Sequence, residues 1–342
     1  MSVLVTGGAG FFGGILKRRL LDEGHKCVSL DLQPDWMTDP NLISVVGDIN
    51  DRPLLDRLFS EHGFTAVVHC AALLAHDQSE AALQRSNVDG TRAIADAVAA
   101  HGVPKLVFIS SNCLWGEAVN RAVREDEPPR PVEAYGQSKL EGERIITAHD
   151  EFDWVVLRPP TIIDSGRLGL LSILFDFIRE GRRVWVVGRG TNRYQFVYAA
   201  DLADACSLAL TSEGSAVYNV GSDDVKTLRE VYEHVISEAG TTARVKSLPK
   251  APAILGMRAA NALGISPLGP YHWRMIAEDF VFDTSKIKAE LGWKPTLTNE
   301  AMLLEAYRAY ERDYDEIHNR TNVSSHRQPA RMGAIRILKW LS

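Results

Sequence analysis

Seven residues near the start of the chain, Gly-Gly-Ala-Gly-Phe-Phe-Gly at positions 7–13, limit its possible folds more than any other segment. They follow the apolar run Val3-Leu4-Val5 and open an amphipathic stretch that begins at Phe11. The glycines fit the spacing Gly8-x-Gly10-x-x-Gly13, which allows a tight turn and close approach of a pyrophosphate to the backbone. A strand, this turn and a helix in succession predict a dinucleotide site at the helix N-terminus.

The first half of the chain alternates short β-branched runs with longer amphipathic stretches. The strand candidates are Val3–Thr6, Lys26–Leu30, Ile43–Val46, Ala66–His69, Lys105–Ile109 and Trp154–Leu157. The helix candidates between them are Phe11–Glu23, Arg52–Glu61, Glu80–Ala100 and Ala134–Ala148. This alternation predicts an α/β fold with a Rossmann-type doubly wound parallel sheet. Because the strands are continuously apolar, we expect both faces of the sheet to be buried.

Asp31 ends the second strand candidate, 18 residues beyond Gly13. A carboxylate at this place accepts hydrogen bonds from the adenosine ribose hydroxyls and repels a 2′-phosphate. Positions 32 to 35 hold no arginine that could attract such a phosphate. The sequence therefore predicts NAD rather than NADP as the cofactor.

The pattern changes after Arg158-Pro159-Pro160, where helix candidates at 170–179, 202–210 and 228–238 mix with short strand candidates at 184–187 and 217–220. We predict an NAD-binding domain over 1–160, to which parts of 185–220 return. A smaller, mixed α/β C-terminal lobe over 161–315 is expected to bind mainly the substrate. The apolar stretch 254–270 is either core or a helical cover for the substrate pocket.

The tail 316–342 is basic and amphipathic. Such a segment can lie on an anionic membrane surface, but a helix docked on its own or a partner subunit is the favoured interpretation.

Composition places the chain among ordinary globular proteins, with 45% hydrophobic and 24% charged residues. A net charge of -6 gives no indication of nucleic-acid binding. Cys27, Cys70, Cys113 and Cys206 are scattered, so we expect no metal site, no disulfide framework and a reducing compartment. Since no secretion signal or membrane-spanning run is visible, the cytoplasm is the expected location.

Tyr135 and Lys139 are four residues apart, which places them on one face of a helix. We expect the ammonium of Lys139 to favour the phenolate of Tyr135 and to lower its pKa, which makes the tyrosine a usable base. Ser110 and Ser111 follow a strand candidate directly, at the edge where open α/β sheets bind ligands. A substrate oxygen held between Ser111 and Tyr135 is the predicted reacting group.

With these motifs the chain resembles the extended short-chain dehydrogenases/reductases, in the NAD-dependent epimerase/dehydratase branch. The similar segments run through most of the chain: Thr6–Gly13, Asp31, Gly47–Ile49, His69–Ala72, Asn87–Thr91, Ser110-Ser111, Trp115-Gly116, Tyr135–Lys139, Leu157–Pro159, Asp201–Ala203, Tyr218–Gly221 and Leu291–Pro295.

The resemblance implies roles for individual residues. Ser111 would polarise the reacting oxygen, Tyr135 would be the acid/base, and Lys139 would bind ribose and tune the tyrosine. Asn87 would help to order the active-site loop. The implied cofactor contacts are Gly7, Gly10, Phe11, Phe12, Gly13, Asp31, Asp48, Ile49, Ala71, Ala72, Leu73, Asn87, Ser110, Tyr135, Lys139, Arg158 and Pro159.

The chain departs from the family pattern at three places. Asn112 and Cys113 stand where the sugar dehydratases carry Asp-Glu, and neither supplies an acid for elimination, which disfavours a dehydratase. Trp115 stands where Tyr is usual, and we assign it packing only. Tyr194 stands where many members have a diphosphate-binding arginine, although Arg193 is one position earlier.

A nucleotide-sugar substrate needs basic side chains for its phosphates, and Arg167, Arg189, Arg193 and Arg274 are the candidates in the second lobe. The predicted substrate contacts are His76, Asn112, Cys113, Arg193 and Arg274. The leading hypothesis is an NAD-dependent sugar-nucleotide epimerase acting at C4. The alternatives are a net dehydrogenase or reductase of an apolar alcohol or ketone and a non-catalytic NAD-binding protein. A homodimer formed through helices 80–100 and 134–148 is expected.

Overall fold

The computed structural model describes residues 1–74, 79–116, 121–263 and 275–319. Its strands are β1 Ser2–Thr6, β2 Lys26–Asp31, β3 Leu42–Val46, β4 Ala66–His69, β5 Lys105–Ile109, β6 Asp153–Arg158, β7 Thr161–Ile163, β8 Arg183–Val187, β9 Phe196–Tyr198, β10 Ala216–Asn219 and β11 Arg244–Leu248. Its helices are α1 Phe11–Asp22, α2 Arg52–His62, α3 Glu80–Leu83, α4 Gly90–Ala100, α5 Ala134–Thr147, α6 Leu171–Arg179, α7 Ala199–Thr211, α8 Leu228–Ala239, α9 Lys250–Ala262, α10 Ser285–Leu291, α11 Asn299–Arg312 and α12 Tyr314–Asn319.

A seven-stranded sheet in the order β3-β2-β1-β4-β5-β6-β10 lies at the centre of the molecule, and each neighbouring pair is parallel. The strand order reverses between β1 and β4. A ligand site is expected outside the carboxyl ends of the strands at this switch point. The doubly wound parallel sheet predicted from the sequence is confirmed.

Helices cover the sheet on both sides. One face packs on α1, α7 and α10 through residues such as Leu16, Leu202 and Ile287. The other face packs on α2, α4 and α5 through residues such as Leu55 and Ile94. Burial on both faces explains the continuously apolar strands. The edge strand β3 is an exception, because Ile43 and Val46 are 47% and 58% exposed. For this strand the expectation of two buried faces is wrong.

The second lobe has its own core, built mainly from α6, α8 and α11. Two small parallel sheets, β8 with β11 and β7 with β9, belong to it. The chain returns to the central sheet at α7 and β10. No helix within the described ranges is long and apolar enough to cross a membrane.

The predicted single helix over 80–100 is divided in the structure. Gln84–Asp89 forms a π-helical segment between α3 and α4. Such wide turns are rare and occur frequently at functional sites. A π-helical turn leaves the apolar pattern of the flanking helices almost unchanged, so the sequence does not indicate it. This segment carries Asn87.

Candidate active site

The glycine turn at the end of β1 is shaped for an anion. Gly7 has φ +69°, and a Cβ at this position would lie 2.8 Å from Cα of Ala71, so that only glycine fits. Gly10 is the N-cap of α1, and among the described residues no side chain caps this helix. A helix N-terminus without a side-chain cap suits a phosphate, as a pyrophosphate-binding turn requires.

Asp31 lies beside this turn, at the end of β2. Its carboxylate accepts hydrogen bonds from the backbone N–H of Ala9 (3.1 Å) and of Gln33 (3.0 Å). A carboxylate tied to the glycine turn fits the ribose of a dinucleotide whose pyrophosphate occupies α1. The donors and acceptors at this edge of the sheet therefore suit NAD.

Ser111, Tyr135 and Lys139 meet at the carboxyl end of β5. Ser111 caps a short 3₁₀ turn, and its Oγ accepts a hydrogen bond from the N–H of Cys113 (3.1 Å). Its hydroxyl is near enough to the phenol of Tyr135 to lower the pKa of that group. Lys139 follows one helical turn later on α5 and is 3% exposed, with its Nζ 4.3 Å from the ring centre of Phe108. The structure thus brings the three predicted catalytic residues together.

The protonation of this group differs from the sequence-based expectation. Burial raises the pKa of Tyr135 above its ordinary value, and nearby Cys113 raises it further. The nearby hydroxyl of Ser111 and the charge of Arg167 lower this pKa, but by less than burial raises it. Burial also lowers the pKa of Lys139 to about 8. The expectation that Lys139 leaves Tyr135 with a lowered pKa is therefore wrong for the protein alone.

Asn87 links the loop after β4 to the catalytic helix. Its side chain accepts from the N–H of Leu73 (2.7 Å) and donates to the carbonyl of Leu73 (2.9 Å). The same amide donates to Oγ of Ser138 (3.0 Å), which donates to the carbonyl of Tyr135 (2.8 Å). This geometry agrees with the loop-ordering role that the family resemblance implies for Asn87.

A buried hydrogen-bonded chain that we did not predict runs behind this loop. Thr91 donates to the carbonyl of Asn87 (2.7 Å), so its Oγ1 accepts from Nε2–H of His69 (3.0 Å). The other ring nitrogen of His69 accepts from Thr6 (2.6 Å), whose Oγ1 accepts from the N–H of Ala71 (3.3 Å). Burial, followed by the charge of Lys139, lowers the pKa of His69 to about 3, so the imidazole is neutral. The position of His69 at a strand's carboxyl end was the available sequence clue.

The side chain of Arg158 is paired with other groups of the protein. Its guanidinium donates to both carboxylate oxygens of Glu143 (2.9 and 2.7 Å) and to the carbonyl of Glu125 (2.9 Å). It also lies 5.2 Å from the ring centre of Trp115, which agrees with the packing role expected for that residue. The side chain of Arg158 therefore has a structural partner, and its cofactor contact stays a prediction.

Two departures from the family pattern contact each other. Nδ2 of Asn112 donates to the hydroxyl of Tyr194 (2.7 Å), and both residues are almost fully buried. The neighbouring Arg193 is exposed, and its charge acts on Glu230 at the surface of α8. Tyr194 therefore points into the protein at this place, and the substrate contact of Arg193 stays a prediction.

The other predicted contacts lie around the same edge of the sheet. Asp48 accepts hydrogen bonds from Asn50 (2.9 Å) and Arg85 (2.9 Å), and the bond from Arg85 holds the pKa of Asp48 below its ordinary value. Ile49 is buried, and a Cβ on Gly90 would meet it, so most of its side chain faces α4. The remaining positions follow the carboxyl ends of β1, β4, β5 and β6 or begin α1: Phe11, Phe12, Gly13, Ala71, Ala72, Leu73, Ser110, Cys113 and Pro159. His76, Arg274 and the tail from residue 320 lie outside the described residues.

The fold and the site define a dinucleotide-dependent α/β enzyme with a Ser-Tyr-Lys centre. The model of the NAD dependent epimerase/dehydratase family matches residues 3–221, more than half of the chain, and a GDP-mannose 4,6 dehydratase model matches residues 172–306. The chain belongs to the NAD-dependent epimerase/dehydratase family, and it is an enzyme with NAD as cofactor.

Relatives and solved structures agree with this assignment. An uncharacterised protein y4nG of Sinorhizobium fredii is 36% identical, with 99% of this chain and 86% of that protein covered. The UDP-glucose 4-epimerase of Bacillus subtilis is 27% identical, with 90% and 96% covered. The structure of WbmG from Bordetella bronchiseptica, in complex with NAD, has a TM-score of 0.75 at 23% identity, with 91% and 94% covered, and shows the same fold.

Proposed function

We propose that this protein is an NAD-dependent epimerase of a nucleotide sugar that inverts the configuration at C4. The observation that carries the proposal is the convergence of Ser111, Tyr135 and Lys139 at the carboxyl end of β5, where the Ser111 hydroxyl acts on the phenol and Lys139 lies one helical turn further on. This group can bind a sugar hydroxyl and move its proton next to a bound dinucleotide. The relationship to a UDP-glucose 4-epimerase over 90% of the chain supports the nucleotide-sugar substrate.

Each residue contributes a separate task to the reaction. Tyr135 would accept the proton of the C4 hydroxyl as the phenolate, a form that the positive charge of a bound nicotinamide would favour, and would later return the proton. Ser111 donates a hydrogen bond to the same oxygen and stabilises the charge that develops there. Lys139 lies one turn from Tyr135, where its ammonium can bind ribose. When bound, NAD supplies the reversible redox chemistry at C4. Since the sugar is oxidised and then reduced again, no cofactor is consumed.

Asn87 and Asp31 support the cofactor in this proposal. Asn87 fixes the backbone of Leu73, which follows β4 at the switch point of the sheet. Asp31 holds the adenosine ribose and excludes the phosphate of NADP.

The purified protein tests the proposal. It is denatured, and any released nicotinamide cofactor is identified by mass spectrometry. The native protein is then incubated with UDP-, GDP-, CDP- and dTDP-sugars without added cofactor. Released NAD and an isomerised sugar support the epimerase. Turnover that depends on added cofactor and an alcohol or ketone contradicts it.

The contact between Asn112 and Tyr194 favours a second candidate, a net dehydrogenase or reductase of an apolar alcohol or ketone. At this place the site presents a neutral buried pair, where many sugar-nucleotide enzymes of the family carry an arginine. A substrate without a diphosphate needs no cation there. Steady consumption of NAD with such a substrate distinguishes this candidate from the epimerase.

A further inference from the structure

A buried ion pair joins the loop after β2 to the first helix. Lys17 on α1 and Asp35 in the loop of residues 32–37 form this pair, and their side chains are 0% and 1% exposed. The ammonium of Lys17 also donates to Oγ of Ser29 on β2 (3.3 Å), and a Cβ on Gly8 would overlap that oxygen. The pair is therefore one hydrogen bond away from a side chain that packs on the glycine turn. Because a buried pair adds little stability over an apolar contact, its place beside this turn points to a role in the site.

Asp35 fixes the loop to its other neighbours as well. Its N–H donates to Oγ of Ser44 on β3 (3.1 Å), and its Oδ1 accepts from the N–H of Met37 (3.0 Å), which is buried in the core that includes α1. Trp36 lies against α1, where a Cβ on Gly14 would be 3.1 Å from its ring. The loop is therefore held between α1 and β3, with the ion pair as its charged anchor.

The same loop provides one of the two backbone partners of Asp31. One carboxylate oxygen of Asp31 accepts from the N–H of Ala9 in the glycine turn (3.1 Å), and the other accepts from the N–H of Gln33 in the loop (3.0 Å). A carboxylate held by two backbone donors points in a fixed direction, and this direction decides whether it meets a ribose hydroxyl. Movement of the loop would release the donor of Gln33. The anchor of the loop therefore controls the orientation of Asp31.

We propose that Lys17 and Asp35 are positioning residues for the cofactor, which clamp the loop of residues 32–37 and so orient Asp31 to accept NAD and to reject NADP. They act through Asp31, because both side chains of the pair are shielded from solvent. The proposal rests on the proposed contact of Asp31 with the adenosine ribose, but not on the identity of the sugar. Burial lowers the pKa of Lys17 to about 8, so its ammonium is charged at neutral pH.

Competition between the two cofactors tests this role. The protein is incubated with an equimolar excess of NAD and NADP until the bound fractions are constant, free cofactor is removed by rapid gel filtration, and the bound cofactors are quantified by mass spectrometry. In Lys17→Met we expect the ratio of bound NADP to bound NAD to rise about tenfold, because Asp31 loses one donor when the loop is released. Lys17→Met/Asp35→Ala should give the same result without an unpaired buried carboxylate, and it replaces the single variant if that does not fold.

Lys105→Met is the matched control. Lys105 is 6% exposed and pairs with Asp153 (3.7 Å), and these residues begin β5 and β6, at the opposite edge of the sheet. The control should lose stability in denaturant unfolding but keep the cofactor ratio of the parent protein. Circular dichroism establishes that each variant is folded.

A double-mutant cycle with Asp31 separates the possible failures. Asp31→Ala should raise the ratio by itself, and the addition of Lys17→Met should raise it no further. An unchanged ratio in Asp31→Ala contradicts the ribose contact of Asp31, and the role of the pair fails with it. If Asp31→Ala is effective, a parent ratio in the folded variants of the pair, or a further rise in the combined variant, overturns the clamp. If no sugar nucleotide is isomerised but the ratio moves as expected, the proposed substrate fails while the role of Lys17 and Asp35 stands.

Discussion

The two lobes contribute to the site through different kinds of partner. In the first lobe, side chains bind backbone groups: Asn87 holds both polar groups of Leu73, and Asp31 accepts from the N–H of Ala9. In the second lobe, Tyr194 meets the side chain of Asn112, and Arg167 meets the ring of Phe11.

This difference predicts how sensitive each end of the site is to amino-acid substitution. Backbone partners are present whatever the neighbouring residue is, so the cofactor end keeps its geometry when other residues are substituted. Contacts between side chains depend on both residues, so the substrate end changes with either one. We therefore expect substitutions in the first lobe to affect catalysis or NAD binding, and those in the second lobe to affect mainly the substrate.

Tyr135→Phe should produce the largest effect of these variants. A small effect would contradict the expectation that substitutions in the first lobe affect catalysis. Removal of the acid/base should lower kcat by about 10²- to 10⁴-fold. The phenyl ring retains the packing, so we expect the fold and NAD content to be unchanged. Tyr232→Phe is the control, because Tyr232 is a partly buried tyrosine on α8 in the second lobe. Near-normal kcat in Tyr135→Phe would contradict the mechanism.

Arg158→Met should have the next largest effect, on stability. It leaves the carboxylate of Glu143 buried without its bidentate partner, which costs about 3–5 kcal/mol of unfolding free energy. Denaturant unfolding measures the loss, and the double variant Arg158→Met/Glu143→Leu should recover much of it. A loss of NAD affinity without a loss of stability would show instead that Arg158 contacts the cofactor.

Asn87→Ala should weaken NAD binding about tenfold, because the N–H and the carbonyl of Leu73 lose their partner, a penalty of about 1–3 kcal/mol. Isothermal titration calorimetry with NAD measures the change. Ser79→Ala, which removes the cap of α3 at the start of the same helical region, is the control for local helix stability. Equal NAD affinity in the Asn87→Ala variant and the parent would remove the loop from the cofactor site.

Tyr194→Phe tests the expectation that substitutions in the second lobe affect the substrate. The variant removes the acceptor of the Asn112 amide in a buried position, which costs about 1–3 kcal/mol of stability. We expect KM for the substrate to change and the dissociation constant of NAD to stay constant. A shift in NAD affinity as large as that in KM would show that the two ends of the site are not separable.

The smallest effect concerns pH. The unfolded chain binds a proton at His69 below its ordinary pKa of 6.5, whereas the folded protein does not until about pH 3. Stability should therefore fall as the pH decreases through this window, since the unfolded state binds more protons. His69→Gln should remove part of the slope between pH 7 and 5.5, and His101→Gln, at an exposed site, should keep it. Identical slopes in all three proteins would show that His69 is protonated when folded.

The fold around the proposed cofactor end, and the identity of the cofactor, could be predicted largely from the sequence. The glycine turn, Asp31 and the Tyr135–Lys139 spacing depend on local geometry, which a strand, a turn and one helical face determine. The alternation of strands and helices likewise fixed the parallel sheet in advance. Even here, the π-helical segment around Asn87 was missed, because an inserted helical residue leaves the apolar pattern almost unchanged.

Contacts between distant segments needed the tertiary structure. Asn112 and Tyr194 are 82 positions apart, and nothing in the sequence indicates that their side chains meet. The inward orientation of Tyr194, rather than Arg193, follows from the direction of one chain segment against the second-lobe core. The raised pKa of Tyr135 also depends on the tertiary structure, because all the residues that pack around the phenol determine its burial.

The class of fold and the cofactor could be predicted from the sequence, together with the side chains that we propose to be catalytic, because these depend on short patterns with local physical causes. Only tertiary packing decides which side chain meets Tyr194, which polar groups pair behind the active-site loop and how deeply the phenol of Tyr135 is buried. Those outcomes depend on how the second lobe packs against the sheet, and packing joins residues that no local pattern connects.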